Sequence, residues 1–147
     1  MVKFQTSRIR VKRPAEEVFA YVADVNRHAE WSNAVQESRL DGFGPVAKGS
    51  RYRQTIKFLG RTIEGSGEIS DYEPNRRVEF RSLSGPMSFK WDVVVEGSGN
   101  DTTLVSHGEA EPGGLFKLAS PMLQGALRRQ AENDFRTLKH LLESGQL

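Results

Sequence analysis

The chain has 147 residues and no cysteine, which bounds it to about one domain and excludes disulfide staples, thiolate metal sites, iron–sulfur clusters and cysteine nucleophiles. Hydrophobic residues make up 37% and charged residues 27%, enough for one core, and no apolar run approaches the roughly 20 residues of a membrane-spanning helix. The net charge of +2 is unevenly spread: residues 1–61 carry 12 Lys and Arg against 6 Asp and Glu, and residues 62–147 carry 9 against 13.

Residues 4–12 read as the first strand, with Ile9 and Val11 on one face and Arg8, Arg10 and Lys12 on the other. The charged N-terminus MVKFQTSRIRVKR reads as neither a secretory signal nor a transit peptide, so a soluble, cytoplasmic protein is expected. Pro14 sits where a helix begins, and Glu16 and Glu17 fall in its first turn. Val18, Phe19 and Val22 give that helix an apolar side. Asp24 and Asn26 break it and cap a second short helix toward Trp31.

From Val35 the period changes to two. A strand is expected over 35–41. Four longer alternations follow, through Tyr52, Gln54, Ile56 and Phe58; Ile63, Gly65, Gly67 and Ile69; Val78 and Phe80; and Met87, Phe89, Trp91, Val93 and Val95. Leu104, Ser106, Gly108 and Ala110 form the last run. Strands with one apolar and one charged face belong to an antiparallel sheet covered on one side. Leu59-Gly60, Glu73-Pro74-Asn75, Ser84-Gly85-Pro86 and Gly97-Ser98-Gly99-Asn100 supply turn chemistry between them. The period then returns to 3.6 over 115–142, where Pro121 kinks the helix or marks its start. A helix of about 25 residues spans about 37 Å and can cover a one-sided sheet.

The order of elements, and residues within it, resemble the START-like (Bet v 1-like, SRPBCC) superfamily, in particular its polyketide cyclase/dehydrase and lipid-transport-like members. The resemblance rests on RPAEEVFAYVAD over 13–24 followed by VNRHAEWS over 25–32, on Lys48-Gly49-Ser50-Arg51-Tyr52, on the turn at 72–78, and on Asp101-Thr102-Thr103-Leu104-Val105. It covers nearly the whole chain. It implies a single α+β domain over 1–147 with a helix-grip fold: a curved antiparallel sheet of about seven strands around a long C-terminal helix, two short helices after the first strand, and a cavity between sheet and helix. It also implies a hydrophobic or aromatic ligand, lipid- or polyketide-like, bound with or without cyclisation or dehydration. The alternative is a non-catalytic module like the coenzyme Q-binding or co-chaperone-like relatives.

The inward faces give the expected ligand-binding residues: Tyr52, Gln54, Gly65, Gly67, Phe80, Phe89, Trp91, Met122, Leu123 and Leu127. Inward Gly65, Gly67 and Gly108 either leave volume for a ligand or let the sheet bend and its neighbours pack closely. Gln54, polar among apolar neighbours, either orients a ligand or makes an internal hydrogen bond. Gln130 has the same ambiguity, weighted toward solvent. Trp31 lines the pocket mouth or anchors the short helices. His28, His107 and His140 match no metal spacing, His107 is expected outward, and Glu64 and Glu68 fall on the charged face. No catalytic residue, metal site or cofactor is identified. The basic stripe Arg51, Arg53, Lys57 and Arg61 lacks stacking aromatics on its own face, so no nucleic acid is expected, nor membrane insertion. A monomer or homodimer is expected.

Overall fold

The computed structural model describes residues 2–111 and 120–145, the side chains of Ser120 and Pro121 excepted. The first strand is interrupted: β1 (Val2–Gln5) and β2 (Ile9–Val11) both pair antiparallel with the last strand. This corrects the expectation of one continuous strand over 4–12. The reason is parity. Phe4 faces Gly108 and Ile9 faces Leu104, so an even-numbered run must hand over to an odd-numbered one without leaving the inner face. The break at residues 6–8 makes that change. Thr6 seals it, its N–H donating to the Ser106 carbonyl at 3.0 Å and its hydroxyl accepting from the Ser106 N–H at 2.9 Å.

Helix α1 (Ala15–Ala23) follows Pro14 and buries Val18, Phe19, Tyr21, Val22 and Ala23. Asp24 then caps a single 3-10 turn (Val25–Arg27), its carboxylate accepting from the Asn26 N–H at 3.0 Å. The short helix α2 (His28–Trp31) completes the crossing. The remaining strands are β3 (Val35–Leu40), β4 (Arg51–Phe58), β5 (Arg61–Glu73), β6 (Arg77–Ser84), β7 (Ser88–Ser98) and β8 (Asp101–Glu111). All eight segments form one curved antiparallel sheet ordered β1-β8-β7-β6-β5-β4-β3, with β2 continuing β1 along β8. At the β4–β5 hairpin Leu59 and Gly60 both have positive φ, the requirement of a two-residue turn that follows the strand twist.

Helix α3 (Ser120–Ser144) lies across the inner face. Pro121 sits in its first turn, where a missing N–H leaves no bond unmade. The part of the expected helix at 115–119 lies outside the described residues. The buried stripe of α3 is Leu123, Asp134, Phe135, Leu138 and Leu142. The fold is the α+β helix-grip. Among the described residues no helix is long and apolar enough to cross a membrane.

The core divides into two clusters. The larger joins Val18, Phe19 and Val22 of α1 to Ile69, Phe80, Val93 and Leu104 of the sheet and Phe135, Leu138 and Leu142 of α3. The smaller joins Phe58, Met87, Ala110 and Leu123. Among the described residues the smaller cluster stands as a satellite of the larger one, on the same face of the sheet.

Candidate functional site

Between sheet and α3 lies a cavity of about 180 Å³. Its wall draws Trp31, Tyr52 and Phe135 from the larger cluster and Phe58, Met87 and Ala110 from the smaller. The surface it presents is overwhelmingly apolar.

Of the residues expected to line a pocket, Tyr52, Gln54, Gly65, Gly67, Phe89, Trp91 and Leu127 are on this wall. Three are not. Phe80 is wholly buried behind it, stacked on Trp91 with ring centroids 4.4 Å apart. Leu123 is wholly buried in the smaller cluster. Met122 is 75% exposed, because the stripe of α3 that meets the sheet passes through Leu123 and leaves its chain neighbour on the outer side.

The glycines do not supply the empty volume. A Cβ on Gly67 would lie 2.6 Å from the Tyr52 ring and 2.9 Å from the Arg81 carbonyl. Tyr52 and Gly67 are register partners on β4 and β5, so the ring folds over the bare backbone. A Cβ on Gly65 would meet the Ser84 carbonyl at 2.7 Å, and one on Gly108 would run into the Phe4 ring. Close packing accounts for all three. The cavity arises where the two clusters fail to meet.

Among the polar side chains of this largely apolar wall, Tyr52, Gln54, His28 and Asp134 bear most directly on its chemistry. Tyr52 is 3% exposed, and its hydroxyl has no hydrogen-bond partner among the described residues. Burial pushes its pKa up, so it is a hydrogen-bond donor and never a phenolate at neutral pH. Gln54 resolves in part as an internal bond. Its amide donates to the Ser38 hydroxyl at 3.0 Å and to Nδ1 of His28 at 3.2 Å, and its carbonyl oxygen has no partner among the described residues.

His28 is a wall residue that its sequence surroundings did not single out. It is 1% exposed, ringed by Trp31, Phe80 and Trp91 at 5.1 to 6.0 Å. Its Nε2 lies 3.0 Å from the Val22 carbonyl, which can only accept. Nε2 therefore carries the proton and Nδ1 accepts from Gln54. Burial pushes its pKa down to about 4. The imidazole is neutral at pH 7 with both nitrogens committed.

Asp134 is the fourth. It is 7% exposed on α3 and lines the cavity. Its carboxylate accepts from the Ser32 hydroxyl at 2.7 Å, the Asn33 N–H at 3.0 Å and the Gln130 amide at 2.8 Å. Burial raises its pKa against the pull of these three donors. Gln130 is accordingly a half-buried wall residue and not a solvent-facing one. One signal in the sequence was available: Asp134 falls on the spacing Leu127, Ala131, Asp134, Leu138, where an apolar residue is expected. Trp31 combines its two readings, buried at 3% exposure, packed on His28 and forming wall, with an indole N–H that finds no acceptor among the described residues.

The outer face of the sheet is charged. Arg77 reaches Asp71, Glu79 and Asp92 at 2.6 to 3.1 Å, and His107 bonds Asp92 at 3.0 Å on that face. Arg51, Arg53, Lys57 and Arg61 are exposed, while Tyr52 and Phe58 are buried. Among the described residues no group of three or more acidic or imidazole side chains is placed to hold a metal ion.

A family model described as "Polyketide cyclase / dehydrase and lipid transport" matches residues 1–143. No curated protein sequence matches the chain. Solved structures of similar fold include a protein from Thermus thermophilus (15% identity, TM-score 0.82, 99% of each chain covered). A START superfamily protein from Mycobacterium smegmatis aligns at 13% identity and TM-score 0.81 over 97% of each chain. The Zhui aromatase/cyclase from a Streptomyces species aligns at 17% identity and TM-score 0.80, covering 99% of this chain and 95% of that one. At these identities the likeness is one of fold.

Proposed function

Since the chain belongs to the polyketide cyclase/dehydrase and lipid transport family, we propose that it binds a small apolar or aromatic molecule between the sheet and α3, without turning it over. The observation that carries this reading is the apolar cavity of about 180 Å³ with the Tyr52 hydroxyl in its wall. Small-molecule sites usually enclose about 300–1,000 Å³, whereas a cavity of about 150 Å³ is enough for benzene. The fit is to one ring with a short substituent, not to a folded polyketide or a long acyl chain. The protonation of the wall supports binding over catalysis. His28 has both nitrogens engaged, Asp134 has both oxygens engaged, and Tyr52 holds its proton. Neither His28 nor Tyr52 is free to act as a general base on a ligand, and the three donors on Asp134 hold its carboxylate in place.

We further propose a cytoplasmic protein, monomeric or homodimeric, that uses neither nucleic acid nor membrane insertion. The inward placement of Tyr52 and Phe58 supports the part about nucleic acid, since neither ring stands beside the exposed arginines for base stacking.

Titration calorimetry with 2-phenylethanol tests the binding reading. Tyr52→Phe removes a hydroxyl that bonds nothing in the described protein, so its melting temperature should match the wild type. Its affinity for the alcohol should fall by roughly 3- to 10-fold, the worth of one hydrogen bond. Absence of saturable heat with the wild-type protein would overturn the reading.

A further inference from the structure

Asp134 is a charged acceptor in a wall that otherwise has no use for one. It is 7% exposed, and no cationic side chain pairs with it among the described residues. The other ions touching the cavity, Lys90 and Glu109, answer each other at 3.4 Å. His28 is neutral. The three donors on Asp134 are all uncharged. They orient the carboxylate and satisfy part of it, but they supply no countercharge. A buried carboxylate is costly unless it is paired, and it is the feature of this wall most out of keeping with a purely apolar ligand.

The groups that touch the carboxylate are polar, and two aromatic residues of the same wall are their chain neighbours. Ser32, which holds it, follows Trp31 in the chain, and Phe135 follows Asp134 itself. The Trp31 and Phe135 rings have their centroids 6.2 Å apart, and both form wall. A cation is attracted to ring faces as well as to a carboxylate, and both attractions strengthen where water is excluded. Three donors already on the carboxylate leave lone-pair capacity, since an ionised carboxyl offers about four acceptor positions.

Building on the ligand-binding reading above, we propose that the ligand is a cationic amine: a single apolar or aromatic ring bearing a protonated nitrogen, with the ammonium against Asp134 and the ring in the apolar wall. The carboxylate then gains its countercharge from the ligand. Neutral lipids and neutral aromatic alcohols fill the same space and leave Asp134 unanswered.

The test compares 2-phenylethylamine with 2-phenylethanol, which match in heavy-atom count and differ in charge, by calorimetry at neutral pH. The wild-type protein should bind the amine roughly tenfold or more tighter than the alcohol, as expected for a charge-assisted hydrogen bond in a water-poor site. Asp134→Asn should abolish that preference, read as the ratio of amine to alcohol affinity measured on the same folded variant. The wild-type comparison needs no variant, so it decides the matter even if Asp134→Asn fails to fold. Tighter binding of the alcohol than of the amine would overturn the amine proposal and leave the ligand-binding reading standing. Retention of the amine preference in folded Asp134→Asn would likewise overturn it. Failure of both compounds to bind would overturn both readings.

Discussion

In the unfolded chain the His28 imidazole takes up a proton near pH 6.5, and in the fold burial holds it off until about pH 4. Its contribution to stability is therefore complete above about pH 6.5 and is lost as pH falls through that window, to a total of about 3 kcal/mol. Asp134 works in the opposite sense. Its raised pKa lets the folded state take a proton first, which offsets part of the loss at the acid end. Urea melts at about pH 7 and pH 5 should show a clear drop in midpoint, and the His28 ring resonance should keep its neutral shift across that range. A ring titrating near 6.5 would contradict the burial and tautomer described for it. At this scale the sequence was only partly legible. Tyr52, Gln54 and Trp91 follow from alternation, because a strand fixes which face a residue takes. His28 sits on a four-residue helix, too short for periodicity to say which way it points. Asp134 interrupts an apolar stripe with a charge, and two of the three donors that make this tolerable come from a segment about 100 residues away.

Between strands, the seam of β4 and β5 sets how close the sheet comes to itself. Gly67 is where Tyr52 lies flat on its register partner, and the Cβ positions show no spare room. Gly67→Leu should cost about 1–3 kcal/mol through overpacking, read as a lower urea midpoint at unchanged slope. An unchanged midpoint together with weakened ligand binding would instead mean that the glycine leaves open volume. The strands themselves were readable because most of them alternate and end in turn chemistry, and β3 to β8 fall close to where the period of two places them, apart from the register shifts in β3 and β5. The first strand was not readable in full. Its change of parity depends on Thr6 bonding Ser106, a contact across 100 residues that local alternation cannot carry. Helix α3 was readable as an element, but not in which neighbour faces inward. Met122 and Leu123 are equally apolar, and only docking on the sheet separates them.

Across the whole molecule, the cavity is a consequence of two packing centres on one sheet. The larger cluster gathers under α1 and the C-terminal half of α3, and the smaller under the N-terminal half of α3. No single residue in the sequence marks the gap between them, so the inward glycines drew the expectation and packing geometry gave the outcome. Ala131 stands on α3 in the wall of that gap, half-buried with a minimal side chain. Ala131→Phe should fill the space without removing any hydrogen bond. The measurement that bears most directly on the account is a methyl NMR titration of wild type and Ala131→Phe with 2-phenylethanol. The account predicts saturable shifts and ring-to-methyl contacts at Met87, Leu127 and Ala131 in the wild type, and none in a folded Ala131→Phe. Equal binding by the two proteins, or shifts confined to exposed methyls such as those of Leu59, Leu83 and Met122, would contradict it.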